Sequence, residues 1–518
     1  MNRHNPVLTN GCGRIRYNGR EPLTTLVRLD FEPPSLSDNR GHQERLLASL
    51  EKIAPGPWTF PLPVLRRLPE VMDAGTVQAF VCPDTGQVVD LISGVHHEKA
   101  FGLAVDLGTT TVVARLVDLA DGREVQHAGA LNLQMAWGED LLTRIAWVRE
   151  GKLDRLRSLV LETINGLNDQ LTSGAGIDPR EVRACVVAGN TVMTHLLLGV
   201  DPRGIPREPY LPVANSFSCQ RAEDVGLNLS PAAPVWFPPN VGSFVGGDVL
   251  AGVLAAGMAR DEGPSLLLDV GTNGEVVLGG ADWLVACAGA AGPAFEGGVA
   301  KKGIRAQEGA IDHVAIDPDG RVTCTTIGGG KAKGLCGSGL IDAVAQLFRA
   351  GLLDRTGALR RGESFLIIPG GKTVDGQPIT LDQTDIANFL RTKAAMFAAV
   401  DLTLDRVGLS PTDLKRVYLA GAVANYIDVD EAITIGLLPD LPPNRFVPLG
   451  NASLEGAHLC LMHRQARIDL RALAARVSYL ELNAEREFMD RFAAALFLPH
   501  TDESHFPSLA ARLGKRQC

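Results

Sequence analysis

The sequence lacks a surplus of positive charge and a long hydrophobic run. Its 518 residues carry a formal net charge of −9, which gives no electrostatic footprint for nucleic acid. The apolar segment VLAGVLAAGM is far too short to span a bilayer. The start MNRHNPVLTNGCGRIRYNGR has no apolar core after its basic residues, so it does not resemble a secretory signal. We therefore expect a cytoplasmic protein that binds neither nucleic acid nor membrane.

The sequence also lacks closely spaced cysteines. The nine cysteines are Cys12, Cys82, Cys185, Cys219, Cys287, Cys324, Cys336, Cys460 and Cys518. The nearest two in sequence are Cys324 and Cys336, whereas local zinc and iron–sulfur loops need pairs such as C-x2-C. Scattered cysteines of this kind are typical of reduced, buried small hydrophobes. We expect no iron–sulfur cluster in this chain.

What the chain does contain is an ordinary globular composition, with 45% hydrophobic and 21% charged residues. Its length exceeds that of one compact core and predicts several domains. We expect a Pro-rich arm or linker over 1–40 and a small α+β domain over 41–100. From residue 101 onward, strands and Gly-rich turns alternate with amphipathic helices, which predicts an α/β fold. The expected divisions there are two lobes over 101–240 and 241–470, then a helical segment over 471–518 that packs back on the lobes.

Two segments in the α/β region share one pattern. They are GLAVDLGTTTVVARLVD and SLLLDVGTNGEVVLGG, and each has an apolar strand, an Asp, a Gly-Thr turn and an apolar return strand. Their separation of about 160 residues is too long for a solenoid repeat. It fits a duplicated domain whose two halves face each other. The alternative for either segment alone is a plain hairpin with Asp-Gly turn chemistry.

The chemistry of these turns suits a phosphate. Glycine permits a tight turn and close ligand approach, successive backbone N–H groups form an anion site, and threonine hydroxyls add donors. An Asp at the end of the strand would repel a phosphate unless a cation lay between them, which implies Mg²⁺. Two such hairpins facing each other would hold a polyphosphate from both sides.

Two further glycine-rich segments accompany the hairpins. VYLAGAVANYID places a glycine turn between a strand and a helix-like stretch, where a flat ring or sugar can approach the backbone. GLCGSGLIDAVAQLF places a similar turn before an amphipathic helix. The alternative for this second segment is a glycine entry that lets the helix pack closely against its neighbour.

Taken in order, these motifs resemble the actin, sugar kinase and Hsp70 superfamily, and more closely the ATP-driven reductive activators of corrinoid-dependent proteins. The motifs that carry the resemblance are FGLAVDLGTTTVVARLVDL, VVAGNTVMTHLLLGVDP, FVGGDVLAGVLAAGM, LLLDVGTNGEVVL, CAGAAGPAFEGG, GLCGSGLIDAV, VYLAGAVANYID and VSYLELNAEREFMDRFAAALFLPH. They cover nearly everything after residue 100, and residues 25–100 resemble the family's linker and middle domain. The resemblance implies duplicated actin-like, ribonuclease H-like ATPase lobes with a cleft.

The resemblance also implies roles for individual residues. Asp106 and Asp269 would hold Mg²⁺ and its waters. The residues that would bind ATP are Gly108, Thr109, Thr110, Thr111, Gly271, Thr272, Asn273 and Gly274 at the phosphates, Gly421 and Ala422 beside the adenosine, and Gly337 as a further nucleotide contact. Glu296 would contact the nucleotide or else be solvated.

Three more residues have two interpretations each. Asp248 would orient the attacking water as general base, or else cap the helix that it opens. Asn190 and Thr191 would face the same cleft, or else serve as a turn and helix cap.

The implied function is an ATP-binding and ATP-hydrolysing activator. It would support reduction of cob(II) to cob(I) on a partner corrinoid or methyltransferase protein. Members of this family usually carry a cluster-binding segment, so the missing cysteine pairs imply a separate ferredoxin-like electron donor. A homodimer is also compatible with the family. The alternatives are an activator of a dehydratase or radical enzyme, a nucleotide-dependent remodelling protein without a redox role, and a small-molecule kinase.

Overall fold

Three antiparallel strands and three short helices form the N-terminal part of the computed structural model. The structure describes residues 15, 17–72, 76–94, 99–271, 273–289, 292, 298, 300–317 and 320–509. The N-terminal elements are β1 (Thr25–Asp30), α1 (His42–Ile53), α2 (Leu62–Leu65), α3 (Leu68–Met72), β2 (Thr76–Cys82) and β3 (Gln87–Ser93). The helices and the hairpin β2–β3 lie within residues 41–100, where the sequence predicts a small α+β domain. Strand β1 lies in a stretch predicted as an arm, and it pairs with β2.

A six-stranded sheet follows, and its two central strands are almost entirely buried. Its elements are β4 (Phe101–Leu107), β5 (Thr111–Asp118), β6 (Glu124–Leu131), α4 (Leu141–Arg149), α5 (Leu153–Ala175), β7 (Val182–Gly189), α6 (Thr191–Leu198), β8 (Gln220–Arg221), α7 (Ala222–Val225), β9 (Pro234–Trp236) and α8 (Gly247–Ala256). The strand order is β6-β5-β4-β7-β9-β8. Every residue of β7 is buried, as expected of a central parallel strand covered on both faces.

A second six-stranded sheet lies further along the chain. The strands of this part are β10 (Ser265–Val270), β11 (Gly274–Gly279), β12 (Leu284–Gly289), β13 (Ala310–Ile316), β14 (Val322–Thr326), β15 (Gly334–Leu335), β16 (Ser364–Ile368), β17 (Ile379–Asp382), β18 (Arg416–Ala420), β19 (Phe446–Gly450) and β20 (Val477–Tyr479). The helices are α9 (Gly337–Arg349), α10 (Gln383–Arg406), α11 (Val429–Thr434), α12 (Ala452–Met462), α13 (Arg464–Ala474) and α14 (Phe488–Ala495). The six-stranded order is β19-β18-β10-β11-β12-β20.

The two large sheets share the arrangement of five strands, and they differ in the position of the sixth, which is β8 beside β9 in the first and β20 beside β12 in the second. In the first, β4 pairs antiparallel with β5 and parallel with β7, and β5 continues antiparallel to β6. In the second, β10 pairs antiparallel with β11 and parallel with β18, and β11 continues antiparallel to β12. In each sheet the first strand is central and has the predicted Asp as its second-to-last residue. The predicted α/β class is therefore confirmed, and the repeated arrangement of five strands agrees with the predicted duplicated domain.

The chain divides into two compact units. The first unit consists of Ile15–Ala255 and Ser453–Ala475, and the second of Ala256–Ala452 with the described part of Arg476–Cys518. Most of α12 and all of α13 thus belong to the first unit although they follow β19 in sequence. Within the first unit α5 packs on β5 and β6, and within the second α10 packs on β11, β12 and α14. Across the described residues, no helix is both long and apolar enough to cross a membrane.

Candidate functional site

The first predicted turn lies between β4 and β5 in the first unit. Asp106 is the second-to-last residue of β4, opposite Val113 on β5 and Ala188 on β7. A Cβ added to Gly108 would lie 2.4 Å from the carbonyl oxygen of Thr111, so only glycine permits this tight reversal. The parallel strands β4 and β7 end at the same edge of the sheet. This edge therefore brings Asp106 and the turn close to the residues that follow β7.

Buried donors from two other segments hold the turn in place. Asn132 Nδ2 donates to the carbonyl of Gly108 at 3.1 Å, and Arg144 Nη2 donates to the carbonyl of Thr109 at 2.5 Å. The backbone N–H of Asn132 donates to the carbonyl of Thr110 at 3.0 Å. All three turn carbonyls therefore have donors from the protein. Since a carbonyl oxygen facing a phosphate would repel it, this arrangement suits an anion-binding turn.

Asn190 connects the turn with the helix that follows β7. Its Nδ2 donates to Thr109 Oγ1 at 3.1 Å, and its Oδ1 accepts from the N–H of Met193 at 2.9 Å as the N-cap of α6. The neighbouring Thr191 donates to the carbonyl of Gly242 at 2.7 Å. Asn190 thus serves as a helix cap and also contacts the predicted phosphate turn. The side chains of Thr109 and Thr110 are buried, whereas Thr111 is half-buried.

Asp248 lies in the first turn of α8, one residue after the helix begins. Its Oδ1 accepts from the N–H of Val249 at 2.8 Å. A Cβ added to Gly246 would lie 2.3 Å from Cα of Asn190, so the loop before α8 packs directly on the residue that contacts Thr109. The carboxylate of Asp248 lies in the first turn of α8, where the helix dipole favours a negative charge. The first unit therefore brings Asp248 near the same sheet edge as Asp106.

The second predicted turn lies between β10 and β11 in the second unit. Asp269 is opposite Glu275 on β11 and Ala420 on β18. The N–H of Gly271 donates to the carbonyl of Asn273 at 3.2 Å, which closes the turn. Gly274 opens β11, and Thr272 lies outside the described residues.

Gly421, from the predicted adenosine segment, lies directly beside this second turn. Its φ is +92°, and a Cβ here would lie 2.6 Å from the carbonyl of Val270 and 3.0 Å from Asp269 Oδ1. A 3₁₀ turn over Ala422–Asn425 follows. The structure thus brings together the aspartate of the second hairpin and the glycine predicted to lie near adenosine.

Two predicted nucleotide contacts remain, Gly337 and Glu296. Gly337 is the first residue of α9, after the N-cap Cys336. In the same helix, a Cβ at Gly339 would lie 2.2 Å from the carbonyl of Ile311, so close helix packing explains this glycine. Glu296 lies outside the described residues. Among the residues that the structure describes, no three His, Cys, Asp or Glu side chains are grouped as metal ligands.

The described cysteines are free, and most of them are buried. The buried ones are Cys82, Cys185, Cys287, Cys336 and Cys460. Burial raises the pKa of each of these thiols. They are therefore protonated near neutral pH, in agreement with the prediction of buried small hydrophobes.

Three residues around the first turn were not predicted from the sequence. They are Asn132, Arg144 and Ser453, whose Oγ donates to Asp106 Oδ1 at 2.7 Å. Asn132 follows the end of β6, and a polar residue at a strand end is a signal that could have been used. Arg144 lies in α4 among apolar residues and Ser453 lies far away in sequence, so neither carries a local signal.

Models of three protein regions match this chain. Residues 19–98 match the RACo linker region, residues 101–261 match the RACo middle region, and residues 263–510 match the C-terminal domain of RACo, the ASKHA domain. Together they cover nearly the whole chain, and the resemblance inferred from the sequence motifs is confirmed.

Relatives and a solved structure agree with these matches. The chain is 31% identical over 473 residues to the corrinoid activation enzyme RamQ of Eubacterium limosum, covering 84% of this chain and 79% of the relative. It is 25% identical over 410 residues to the [Co(II) methylated amine-specific corrinoid protein] reductase of Methanosarcina barkeri, covering 73% of each. The solved structure of a reductive activator for corrinoid, iron-sulfur protein superposes with a TM-score of 0.89 at 41% identity, over 95% of this chain and 82% of that one.

Proposed function

Because the chain belongs to the family of reductive activators of corrinoid proteins, we propose that it is an ATP-hydrolysing activator of a partner corrinoid protein. In this role it supports the transfer of one electron from a separate carrier to cob(II), which gives cob(I) on the partner. The observation that carries the proposal is the repeated strand–Asp–Gly–Thr–strand hairpin, which lies at the same position in two sheets that share the arrangement of five strands.

ATP and Mg²⁺ fit the residues of the two turns. In the first turn, the carbonyls of Gly108, Thr109 and Thr110 accept hydrogen bonds from protein donors, so they do not oppose a phosphate. Asp106 and Asp269, at the ends of matching strands, are the carboxylates that we propose for Mg²⁺ and its waters. Phosphoryl transfer needs mainly positioning and charge neutralisation, and these are what such turns supply.

Further residues complete the proposed nucleotide site. The proposed phosphate contacts are Gly108, Thr109, Thr110, Thr111, Gly271, Thr272, Asn273 and Gly274. Gly421 and Ala422 contact the adenosine, and Gly337 and Glu296 are further proposed nucleotide contacts. Asp248 orients the attacking water, since it lies near the sheet edge that carries Asp106.

ATP makes the electron transfer directional. A ligand shifts an equilibrium only by its different affinities for the two states, so ATP must favour one state of the complex with the corrinoid protein. Hydrolysis to ADP and phosphate, followed by product release, then resets the activator. A separate ferredoxin-like donor supplies the electron. The wide spacing of the nine cysteines in the sequence supports an external donor.

ATPase measurements test this function. We expect ATP hydrolysis that a corrinoid protein stimulates, with phosphate released to water and none transferred to an acceptor. Asp106→Asn and Asp269→Asn should each lower Mg-ATP affinity at least about tenfold, as expected for loss of a charged metal contact. Asp248→Asn should keep the affinity but lower kcat. A phosphorylated small-molecule acceptor would instead establish a kinase, and unchanged Mg-ATP affinity in both aspartate variants would refute the site.

A further inference from the structure

Arg144 on α4 is fully buried, and its guanidinium contacts only neutral acceptors. It donates to the carbonyl of Gly138 at 3.0 Å, to Gln134 Oε1 at 2.9 Å and to the sulfur of Met193 at 3.1 Å. The fourth acceptor is the carbonyl of Thr109 in the first turn, at 2.5 Å. The relative exposure of Arg144 is 0%. The guanidinium is thus fixed directly behind the predicted phosphate turn.

The charge of Arg144 has no carboxylate partner among the described residues. The other fully buried arginine, Arg467, forms an ion pair with Asp84 at 2.6 Å. The charge of Asp140 acts to raise the pKa of Arg144. Its carboxylate, however, caps α4 and accepts hydrogen bonds from Thr143. Burial lowers the pKa of Arg144 to about 10, so it remains a cation at neutral pH. Burying an unpaired cation is costly, and an anion bound nearby would offset that cost.

We propose that Arg144 is a positioning residue that supplies the positive charge by which the turn Gly108–Thr111 holds the phosphates of ATP. The inference rests on the proposed function and extends it to a residue that contacts the turn through the carbonyl of Thr109. The carbonyl of Thr109 and the N–H of Thr110 belong to one peptide group. A cation bonded to that carbonyl polarises the peptide and strengthens its N–H as a donor to a phosphate oxygen. The guanidinium also adds long-range attraction, which grows with the number of phosphates.

Two variants separate this electrostatic role from a purely structural one. Arg144→Met removes the charge together with the hydrogen bonds. Gln134→Glu keeps Arg144 and its bonding geometry but places a carboxylate against the guanidinium, which cancels the charge. Gln134→Met is the matched control, because it also loses the bond from Gln134 Nε2 to the carbonyl of Leu156 without adding a charge. Arg157→Met is a second control, since Arg157 donates to the carbonyls of Leu197 and Val225 elsewhere in the unit.

The measurement is calorimetric titration of the full chain with Mg-ATP, Mg-ADP and adenosine. We expect Arg144→Met and Gln134→Glu to weaken ATP binding about tenfold, ADP binding less, and adenosine binding less than about twofold. Both controls should bind all three ligands like the wild type. Equal losses for ATP and adenosine in Arg144→Met, or unchanged ATP affinity in Gln134→Glu, would overturn the inference. If Arg144→Met does not fold, Gln134→Glu decides alone. A wild-type chain that binds no ATP refutes the proposed function itself, before any variant is compared.

Discussion

Ser453 donates a hydrogen bond of 2.7 Å to Asp106, although 347 residues separate the two in sequence. Ser453 lies at the start of α12 and is buried, and it belongs to the same compact unit as Asp106. The bond fixes one oxygen of the carboxylate that we propose for Mg²⁺. Because the chain returns to this unit only after β19, the geometry of Asp106 depends on a residue near the C-terminal end.

We predict that Ser453→Ala lowers the affinity for Mg-ATP about threefold to tenfold, as expected for the loss of one hydrogen bond to a charged group. Isothermal titration with Mg-ATP measures this effect. The matched control is Ser265→Ala, which removes a buried serine–aspartate bond of 2.8 Å to Asp261. The control should lower stability without changing ATP affinity. Equal ATP affinities for both variants and the wild type would show that Ser453 does not orient a metal-binding carboxylate.

Gly421→Ala should disrupt the second turn. Its φ of +92° strains any other residue, and the new Cβ would lie 2.6 Å from the carbonyl of Val270. We expect adenosine and ATP affinities to fall at least about tenfold, because Asp269 and the adenosine segment must separate. Gly408→Ala is the control, since Gly408 also has positive φ (+67°) but nothing within 4 Å of an added Cβ. Equal nucleotide affinities for the two variants would contradict the placement of adenosine at Gly421.

A buried acidic cluster in the second unit predicts a dependence of stability on pH. Asp342 on α9 accepts from the N–H of Val314 at 3.3 Å and contacts Nδ1 of His313, while its Oδ1 is buried without a partner. The carboxylates of Glu431 and Asp428 lie near enough to oppose its ionisation. Burial is the main cause that raises the pKa of Asp342 from its ordinary 3.8 to about 7.

The sign of the pH effect follows from this raised pKa. The folded protein keeps a proton on Asp342 that the unfolded chain loses, so the stabilisation is full below about pH 4 and is lost as pH rises through about 7. Asp342→Asn should raise the free energy of unfolding by about 1–3 kcal/mol at pH 8 and by much less at pH 4.5. Chemical denaturation at both pH values checks this, with Asp312→Asn as control. Glu431 stays paired with Arg349 at 3.2 Å in the variant. An equal effect at both pH values would contradict the assignment.

Lys393 holds the segment after α14 in place. Its ammonium is fully buried and donates to the carbonyls of Ala495 at 2.6 Å, Phe497 at 2.8 Å and Pro499. Lys393→Met leaves three carbonyls unsatisfied, and we expect it to cost about 3 kcal/mol of unfolding free energy. Guanidinium unfolding measures the loss. Arg391→Met, an exposed change on the same helix, should cost less than about 0.5 kcal/mol. A cost below about 1 kcal/mol for Lys393→Met would show that the carbonyls find other donors.

The sequence predicts those parts of the fold and site whose signal is local. Both hairpins are visible because an apolar strand, an Asp and a Gly-Thr turn are consecutive, and their repetition predicts the duplicated sheets. Strand β1 was missed because TLVRLD is short and lies next to a Pro-rich stretch. Its partner β2 begins at residue 76, so the pairing has no local signal.

The surroundings of the first turn could not be predicted, because they depend on tertiary contacts. Asn132, Arg144 and Asn190 approach Gly108 and Thr109 from three separate segments. Helix α4 buries Leu141, Arg144, Ile145 and Val148, but hydrophobic periodicity does not predict which polar side chain a buried face carries towards the turn.

The central claim is that ATP binding to this chain drives reduction of cobalt on a partner corrinoid protein. The most direct measurement is the absorption spectrum of a cob(II) corrinoid protein mixed with the purified chain and a low-potential ferredoxin-like reductant. We predict that the cob(II) bands give way to cob(I) bands only when Mg-ATP is added, and that Asp106→Asn abolishes this change. Conversion to cob(I) at the same rate and extent without ATP, or no conversion with ATP for any corrinoid partner of the related activators, would contradict the account.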